Sequence, residues 1–259
     1  MQQSQTKSIQ LGAVTYNVLN KMDLETVIRT LEGAGIGLVE LRTGHKHGVE
    51  PSLAEDERKR VKERFERSKV RLLSFGSTCE FQAADAAERR KQIELAKQFV
   101  TLAHDTGATA VKVRPNGLAK GVAKETTLET IAAGLREVGE FAYVHGVEIW
   151  LEVHGGETQV PAVAAEIMRL TKHASVGLCW NSNPTDVVEG SVKASFQLLR
   201  PWLKSCHITE LASGYPYKEL FGLMKSSGYD RWTLCEAAES PEPERFLKYY
   251  KALWRELMA

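Results

Sequence analysis

The run Ile149-Trp150-Leu151-Glu152 is short and apolar, and it ends in a side chain that can bind a metal ion. Two other runs end in the same way, Lys204-Ser205-Cys206-His207 and Thr233-Leu234-Cys235-Glu236. A fourth, Val176-Gly177-Leu178-Cys179-Trp180, stops at Asn181, an amide where a carboxylate would complete the pattern. In a parallel barrel the carboxyl ends of all strands open on one face, so groups far apart in sequence converge there. These runs therefore predict a barrel with a site at its mouth.

Eight apolar runs of strand length recur along the chain, and stretches with helical periodicity separate them. The predicted strands are 11–16, 38–41, 70–75, 110–113, 147–153, 176–180, 203–208 and 232–235. The predicted helices are 24–31, one that starts with a capping box at 52–55, 84–105, 127–143, 161–171, 191–199, 218–226 and 241–257. This alternation predicts an α/β fold, a single (β/α)8 TIM barrel domain over residues 1–259. A doubly wound open sheet is the alternative, but it gives no reason for ligand-type residues at the ends of three separate strands.

The composition favours a small-molecule partner over a nucleic acid or a membrane. Lys and Arg number 34 and Asp and Glu 33, a net charge of +1, whereas nucleic-acid binders usually carry a clustered positive excess. No apolar run approaches the roughly 18 residues that span a bilayer, and residues 1–7 have no apolar signal core, so we expect a cytoplasmic protein. The four cysteines form no C-x-x-C pair, which predicts reduced thiols packed as small apolar groups.

Alternation along the fifth predicted strand places Trp150, Glu152 and His154 on the barrel interior and the residues between them against the helices. A carboxylate in that position must be paired, protonated or bound to a metal, because desolvating it alone costs several kcal/mol. Glu236 raises the same question after the eighth strand. With His207 between them in chain order, the two glutamates form a mixed ligand set that suits Mn²⁺, Mg²⁺, Co²⁺ or Zn²⁺.

The chain resembles the xylose isomerase-like TIM barrel superfamily, which includes sugar phosphate isomerases and epimerases. The resemblance runs from Leu11-Gly12-Ala13-Val14-Thr15-Tyr16 through Gly37-Leu38-Val39-Glu40-Leu41-Arg42 to Leu234-Cys235-Glu236. It implies one divalent metal ion whose ligands come from strands five to eight. Carried onto this sequence, those ligands are Glu152, Asn181, His207 and Glu236.

Two positions depart from the pattern of that family. Asn181 stands where the family usually has Asp, so Glu152 and Glu236 are the charged ligands that remain. An amide oxygen still coordinates metals but attracts a cation less, which leaves the occupancy of the site open. Thr209-Glu210 follows His207 where the family often has a Lys-Asp pair, and Glu210 is therefore a candidate substrate contact.

Several polar residues are candidate substrate contacts. The loop Arg42-Thr43-Gly44-His45-Lys46-His47-Gly48-Val49-Glu50 follows the second strand. Its glycines allow it to fold close over a ligand, and His45 and His47 can hydrogen-bond sugar hydroxyls or transfer protons near neutral pH. Arg42, at the start of the loop, is a further candidate contact. A solvated turn is the alternative interpretation.

Lys112 and Arg114 alternate onto the inner side of the fourth strand. They either hold a substrate phosphate or carboxylate or neutralise Glu40 and Glu152 within the mouth. His154 is a candidate substrate contact. Two further alternatives stay open, because His154 also fits a core histidine, and the Trp180 ring fits either an apolar wall for a sugar or core packing.

The resemblance implies a divalent-metal-dependent isomerase or epimerase of a sugar, a sugar phosphate or an inosose. In such an enzyme a proton next to a carbonyl is removed through a metal-stabilised enediolate, with Glu152 and Glu236 as acid and base. Isomerisation, epimerisation and loss of water stay open. One rival is a degenerate barrel that binds sugar without turning it over, as Asn181 suggests, and another is an endonuclease IV-like DNA-repair enzyme, which the charge balance disfavours. Relatives in this family also lead us to expect a homo-oligomer.

Overall fold

The apolar runs form strands that are buried on both faces, one against the helices and the other in the barrel interior. The computed structural model describes residues 8–259, so the predicted absence of a signal core in residues 1–7 lies outside it. The strands are β1 (Gln10–Val14), β2 (Leu38–Arg42), β3 (Arg71–Gly76), β4 (Ala110–Val113), β5 (Glu148–Glu152), β6 (Val176–Asn181), β7 (Leu203–Ile208) and β8 (Trp232–Cys235). The helices are α1 (Leu24–Ala34), α2 (Glu55–Glu66), α3 (Ala86–Thr106), α4 (Lys124–Val144), α5 (Pro161–Thr171), α6 (Lys193–Leu199), α7 (Tyr217–Ser226) and α8 (Pro243–Met258).

The eight strands close into a parallel barrel. Each strand pairs with the next, and β8 returns to β1 in a register that runs from Gln10 opposite Trp232 to Ala13 opposite Cys235. The predicted TIM barrel is confirmed, and the open-sheet alternative is wrong. Among the described residues no helix is both long enough and apolar enough to span a membrane.

Two apolar layers follow from the alternation of side chains along the strands. The larger core lies between strands and helices, where each fully buried Leu or Ile contributes roughly 1.5–3 kcal/mol. A small second cluster fills the barrel interior and includes Ala110 and Trp150. Two residues further along the same strands, the interior becomes polar, with Lys112 after Ala110 and Glu152 after Trp150. The fold thereby confines buried charge to the carboxyl end of the barrel.

Several helices begin one to three residues away from their predicted starts, and at α8 and α2 the predicted capping residues are also wrong. Helix α8 begins at Pro243 rather than Pro241, and Ser240 is not its N-cap. Glu242 has φ −125° and ψ 68°, because the ring of a following proline disfavours the helical region for the residue before it. Helix α2 begins after Ala54, whose N–H donates to the Glu57 carboxylate at 2.8 Å, so the predicted capping box at 52–55 does not form.

Candidate metal and substrate site

Three side chains from separate strands converge at the carboxyl end of the barrel. Glu152 ends β5, His207 lies in β7 and Glu236 directly follows β8, and a potential ligand atom of each lies within 4.8 Å of the others. His207 Nδ1 is 3.5 Å from Glu152 Oε1 and 3.5 Å from Glu236 Oε2. Glu152 and His207 are buried, and Glu236 is partly exposed to the cavity above them. This is the one cluster of three such ligands within residues 8–259.

Asn181 ends β6 directly opposite His207 in the strand register and lines the same cavity. The loop after it is tightly bonded: the Asn183 side-chain amide donates to the carbonyl oxygens of Val153 and Asn181 at 2.7 and 3.1 Å. Asp186 accepts the backbone N–H of Asn183 and the hydroxyl of Tyr215, both at 2.8 Å. Burial raises the pKa of Asp186 to about 7, although these two hydrogen bonds oppose the change. The loop therefore holds Asn181 in the wall of the cavity.

The cavity above this cluster has a volume of about 140 Å³. Carboxylates, cations and an amide dominate its wall, so it suits a polar ligand better than an apolar one. Its lining residues are Val14, Tyr16, Glu40, Arg42, Lys112, Arg114, Glu152, His154, Asn181 and Glu236.

Lys112 forms a buried ion pair with Glu152, with Nζ 2.7 Å from Oε2. Burial alone would raise the pKa of Glu152, but the charge of Lys112 and the contact with His207 outweigh it and lower that pKa below the ordinary value. Burial likewise opposes a charged Lys112, yet Glu152 and Glu40 raise its pKa. Glu152 is therefore an ionised carboxylate at neutral pH, and of the two roles left open for Lys112 the structure shows the ion pair with Glu152. Arg114 instead pairs with Glu80, with Nη2 3.1 Å from Oε1, and not with Glu40 or Glu152, the partners that one of its two interpretations gave it.

Glu40 is fully buried directly behind His207 and was absent from the predicted site. Its Oε1 lies 3.2 Å from His207 Nε2, and the Ser74 hydroxyl donates to its Oε2 at 2.7 Å. Gly76 makes room for this carboxylate, since a Cβ atom there would lie 2.8 Å from Glu40 Oε1. Burial opposes ionisation of Glu40, but His207, Lys112 and Ser74 together lower its pKa. The two ring nitrogens of His207 thus face different partners, Nε2 toward Glu40 and Nδ1 toward Glu152 and Glu236.

The donor set fits a divalent cation. His207 Nδ1 is buried without a hydrogen-bond partner and points at two carboxylates, an arrangement that a shared cation would satisfy. Burial opposes a charged imidazole, but Cys179, Glu236 and Glu40 raise the pKa of His207 well above its ordinary value. Without a cation a proton on His207 offsets the negative charge around it. Glu152, His207 and Glu236 would hold the cation, and the Asn181 amide oxygen is a fourth candidate ligand from the cavity wall.

The loop after β2 brings only one of its three predicted contacts to the cavity. Arg42 lines the wall, whereas His45 and His47 do not. His47 Nε2 bonds the Arg42 carbonyl at 2.9 Å and its Nδ1 accepts the Val49 N–H at 3.0 Å, so both ring nitrogens are used within the loop. Burial and the nearby charge of Arg42 lower the pKa of His45 to about 4, which makes it neutral at physiological pH.

Trp180 does not line the cavity, and of the two interpretations left open for it the structure shows core packing. Alternation turns Cys179 and Asn181 inward, and Trp180 packs in the core between strands and helices, where its Nε1 donates to the Tyr215 hydroxyl at 3.1 Å.

Glu210 is exposed and does not line the cavity, whereas His154 does. All four cysteines are free and buried, as the sequence predicts.

The sequence interpretation missed two polar lining residues, Tyr16 and Glu40, and the apolar Val14. Tyr16 follows β1 and is 41% exposed at the rim, with the Arg42 guanidinium carbon 5.3 Å from its ring centroid. Glu40 was considered only as an acid to be neutralised. Side chains alternate along Leu38-Val39-Glu40-Leu41-Arg42 as they do along β5, and this alternation places Glu40 and Arg42 on the interior together.

Solved structures of the same fold match almost the whole chain at low identity. D-psicose 3-epimerase from Clostridium cellulolyticum H10, with D-tagatose, is 13% identical with a TM-score of 0.83, covering 96% of this chain and 99% of that one. The E. coli 3-keto-D-glucoside 4-epimerase YcjR is 12% identical with a TM-score of 0.80, covering 96% and 100%. IolI with a bound zinc atom is 17% identical with a TM-score of 0.77, covering 96% of each chain. At these identities the likeness shows the fold alone.

A comparison of the sequence with curated proteins gives no match. The family model described as xylose isomerase-like TIM barrel matches residues 28–253, most of the chain and seven of the eight strands. The chain therefore belongs to the family of xylose isomerase-like TIM barrels.

Proposed function

We propose that this protein is a divalent-metal-dependent isomerase or epimerase that acts on a small carbohydrate by moving a proton next to a carbonyl group. The observation that carries the proposal is the meeting of Glu152, His207 and Glu236 around an unpartnered His207 Nδ1 at the floor of a polar cavity. Sugar epimerases among the structural neighbours support the same class of reaction, and the zinc atom bound by IolI supports a metal in the site.

Glu152 and Glu236 are the proposed proton carriers. Both carboxylates approach His207 Nδ1 from separate strands, so each borders the same point of the cavity. One removes the proton beside the carbonyl and the other returns it, either to the opposite face of that carbon or to its neighbour. A bound divalent cation supplies Lewis-acid stabilisation of the negative charge that develops on the substrate oxygens. Lys112 keeps Glu152 deprotonated and ready to accept a proton, although the ion pair also weakens it as a base.

The test is exchange of substrate hydrogen with solvent. The metal-supplemented protein is incubated in D2O with ketoses, aldoses and inososes, and NMR follows deuterium entering the position next to the carbonyl. We expect exchange in the wild type and its loss in Glu152→Gln and Glu236→Gln. Glu239→Gln is the matched control, because Glu239 also follows β8 but pairs with Lys21 outside the cavity. Near-normal exchange in Glu152→Gln would refute the assignment of Glu152.

A second candidate is a barrel that binds sugar without turning it over, which the uncharged Asn181 and the cationic Lys112 in the site both favour. Metal analysis of protein purified without chelator separates the candidates. One equivalent of bound metal supports the enzyme. No bound metal, even after the protein is supplied with it, supports the non-catalytic barrel. More than one equivalent would revive the nuclease alternative, which needs a multi-metal centre.

A further inference from the structure

Arg42 is a cation in the cavity wall with no acidic partner among residues 8–259. Its Nη1 donates to the carbonyl oxygen of Thr43 at 2.9 Å, and within residues 8–259 its guanidinium forms no ion pair with a carboxylate. The one acid of its loop, Glu50, is already engaged, since it accepts the Thr43 hydroxyl and the Gly44 N–H, both at 2.6 Å. Most donors of this guanidinium are therefore available to a ligand.

Hydrogen bonds on both sides fix the position of Arg42. Its backbone N–H donates to Thr15 Oγ1 at 3.0 Å, and that hydroxyl also bonds His45 Nδ1 at 2.9 Å. Its carbonyl oxygen bonds His47 Nε2 at 2.9 Å, and Tyr16 lies alongside its guanidinium. His47 thus supports Arg42 directly and His45 supports it through Thr15. An arginine ordered in advance loses less entropy when it binds a ligand.

The charges of the cavity leave a positive excess once a divalent cation is bound. The three glutamates of the site face two cations, Lys112 and Arg42, while Arg114 and Glu80 cancel each other at the rim. With a neutral imidazole and a divalent cation, the total is one positive charge. An uncompensated charge is costly in a partly desolvated cavity, so an anionic ligand would be favoured because it neutralises the positive excess.

We infer that the substrate carries an anionic group, a carboxylate or a phosphate, and that Arg42 binds this group and selects for it. The inference rests on the proposed function and narrows its substrate to sugar acids or sugar phosphates. The planar guanidinium matches two anionic oxygens at once. The cavity volume of about 140 Å³ is small beside the 300–1,000 Å³ of common ligand pockets, which favours one compact sugar over an oligosaccharide or a nucleotide.

The test compares three probes that share a ketose skeleton and differ at C6: D-fructose, D-fructose 6-phosphate and D-fructuronate. Binding to the metal-loaded protein is measured by calorimetry for the wild type, Arg42→Met and Arg42→Lys. Arg29→Met is the matched control, because Arg29 is exposed on α1 outside the cavity. Metal affinity and thermal unfolding are measured for each variant. Inorganic phosphate serves as a probe without the sugar.

We expect at least one anionic probe to bind the wild type and Arg29→Met about tenfold or more tightly than D-fructose. Preference for the phosphate points to sugar phosphates, and preference for the carboxylate points to sugar acids. Arg42→Met should lose this preference while its folding is unchanged and its metal affinity is not weakened, and Arg42→Lys should keep part of the preference. Equal binding of all three probes, a preference that survives in Arg42→Met, or no binding of any anion including phosphate would overturn the inference. The proposed function and the inference about Arg42 fail with different results. If only the proposed function is wrong, metal binding or deuterium exchange is absent while anion selection by Arg42 persists.

Discussion

Glu40 should strengthen metal binding although it does not reach the cation itself. It contacts His207 Nε2 at 3.2 Å, the nitrogen opposite the one that faces Glu152 and Glu236. A carboxylate in that position fixes the tautomer and orientation of a metal-binding histidine and makes it more basic. Glu40→Gln keeps the size of the side chain and one acceptor oxygen but removes the charge.

The size of the effect follows from the contact that changes. A hydrogen bond to a charged group contributes about 1.5–3 kcal/mol and a neutral one about 0.5–1.5 kcal/mol, so Glu40→Gln should cost about 1–1.5 kcal/mol. That loss is about tenfold in metal affinity, and Glu40→Ala, which removes the whole contact, should approach about 100-fold. Gly76→Ala should also weaken binding, because its Cβ would crowd Glu40 Oε1 without removing any charge.

The assay is competition between the protein and a chelator for Co²⁺ or Zn²⁺, repeated over a range of pH. A proton on His207 competes with the cation, so the variants are compared at pH values where the metal affinity no longer changes with pH. Glu239→Gln is the control, because Glu239 is an exposed carboxylate on the same face of the barrel. This variant should bind the metal like the wild type. Wild-type affinity in both Glu40→Gln and Glu40→Ala would refute the role assigned to Glu40.

Three further variants test the electrostatics of the site. Asn181→Asp should tighten metal binding about tenfold or more in the same competition assay, because it adds a charged oxygen, and unchanged affinity would exclude residue 181 from the ligand set. Lys112→Met should lower the free energy of unfolding of the metal-free protein by about 3–5 kcal/mol, because it leaves Glu152 buried without its partner. Denaturant titration should find much of that loss recovered with saturating cation, and no recovery would argue against a cation beside Glu152. Asp186 keeps its proton up to about pH 7 when folded but releases it near 3.8 when unfolded, so the free energy of unfolding falls as pH rises between these values. Asp186→Asn should remove up to about 4 kcal/mol of that dependence, and an unchanged pH profile of stability would contradict the assignment.

The fold was predictable because its signals are local and repeated. Each strand is an apolar run of limited length, and the strands at 110–113, 203–208 and 232–235 were predicted with the bounds that the structure has. Closure into a barrel followed from eight repeats of the same unit. Helix starts were less predictable where two signals competed, as at Ser240 and Pro243, where the second proline keeps Glu242 out of the helix.

Alternation along a single strand predicted which side chains of the site face the barrel interior, but not which of them pair across strands. That rule places Glu152 on the interior, and applied to β6 it also places Trp180 against the helices. Which cation meets which acid depends on distances between strands, and these are absent from a sequence. Lys112 meets Glu152 across the β4–β5 pairing, whereas Arg114, two residues later, lies beyond it and turns to Glu80.

Asn181, where the family resemblance implies Asp, lowers the expected metal affinity less than a comparison of the four ligands alone suggests. The change removes one negative charge from the cavity wall, but Glu40 contributes another carboxylate behind His207, and His207 can transmit its effect to the cation. Lys112 offsets part of that charge, yet it is already committed to Glu152 at 2.7 Å. Around His207 Nδ1, which has no hydrogen-bond partner, the carboxylates outnumber the single cation Lys112, and a divalent cation would offset that charge and coordinate the nitrogen.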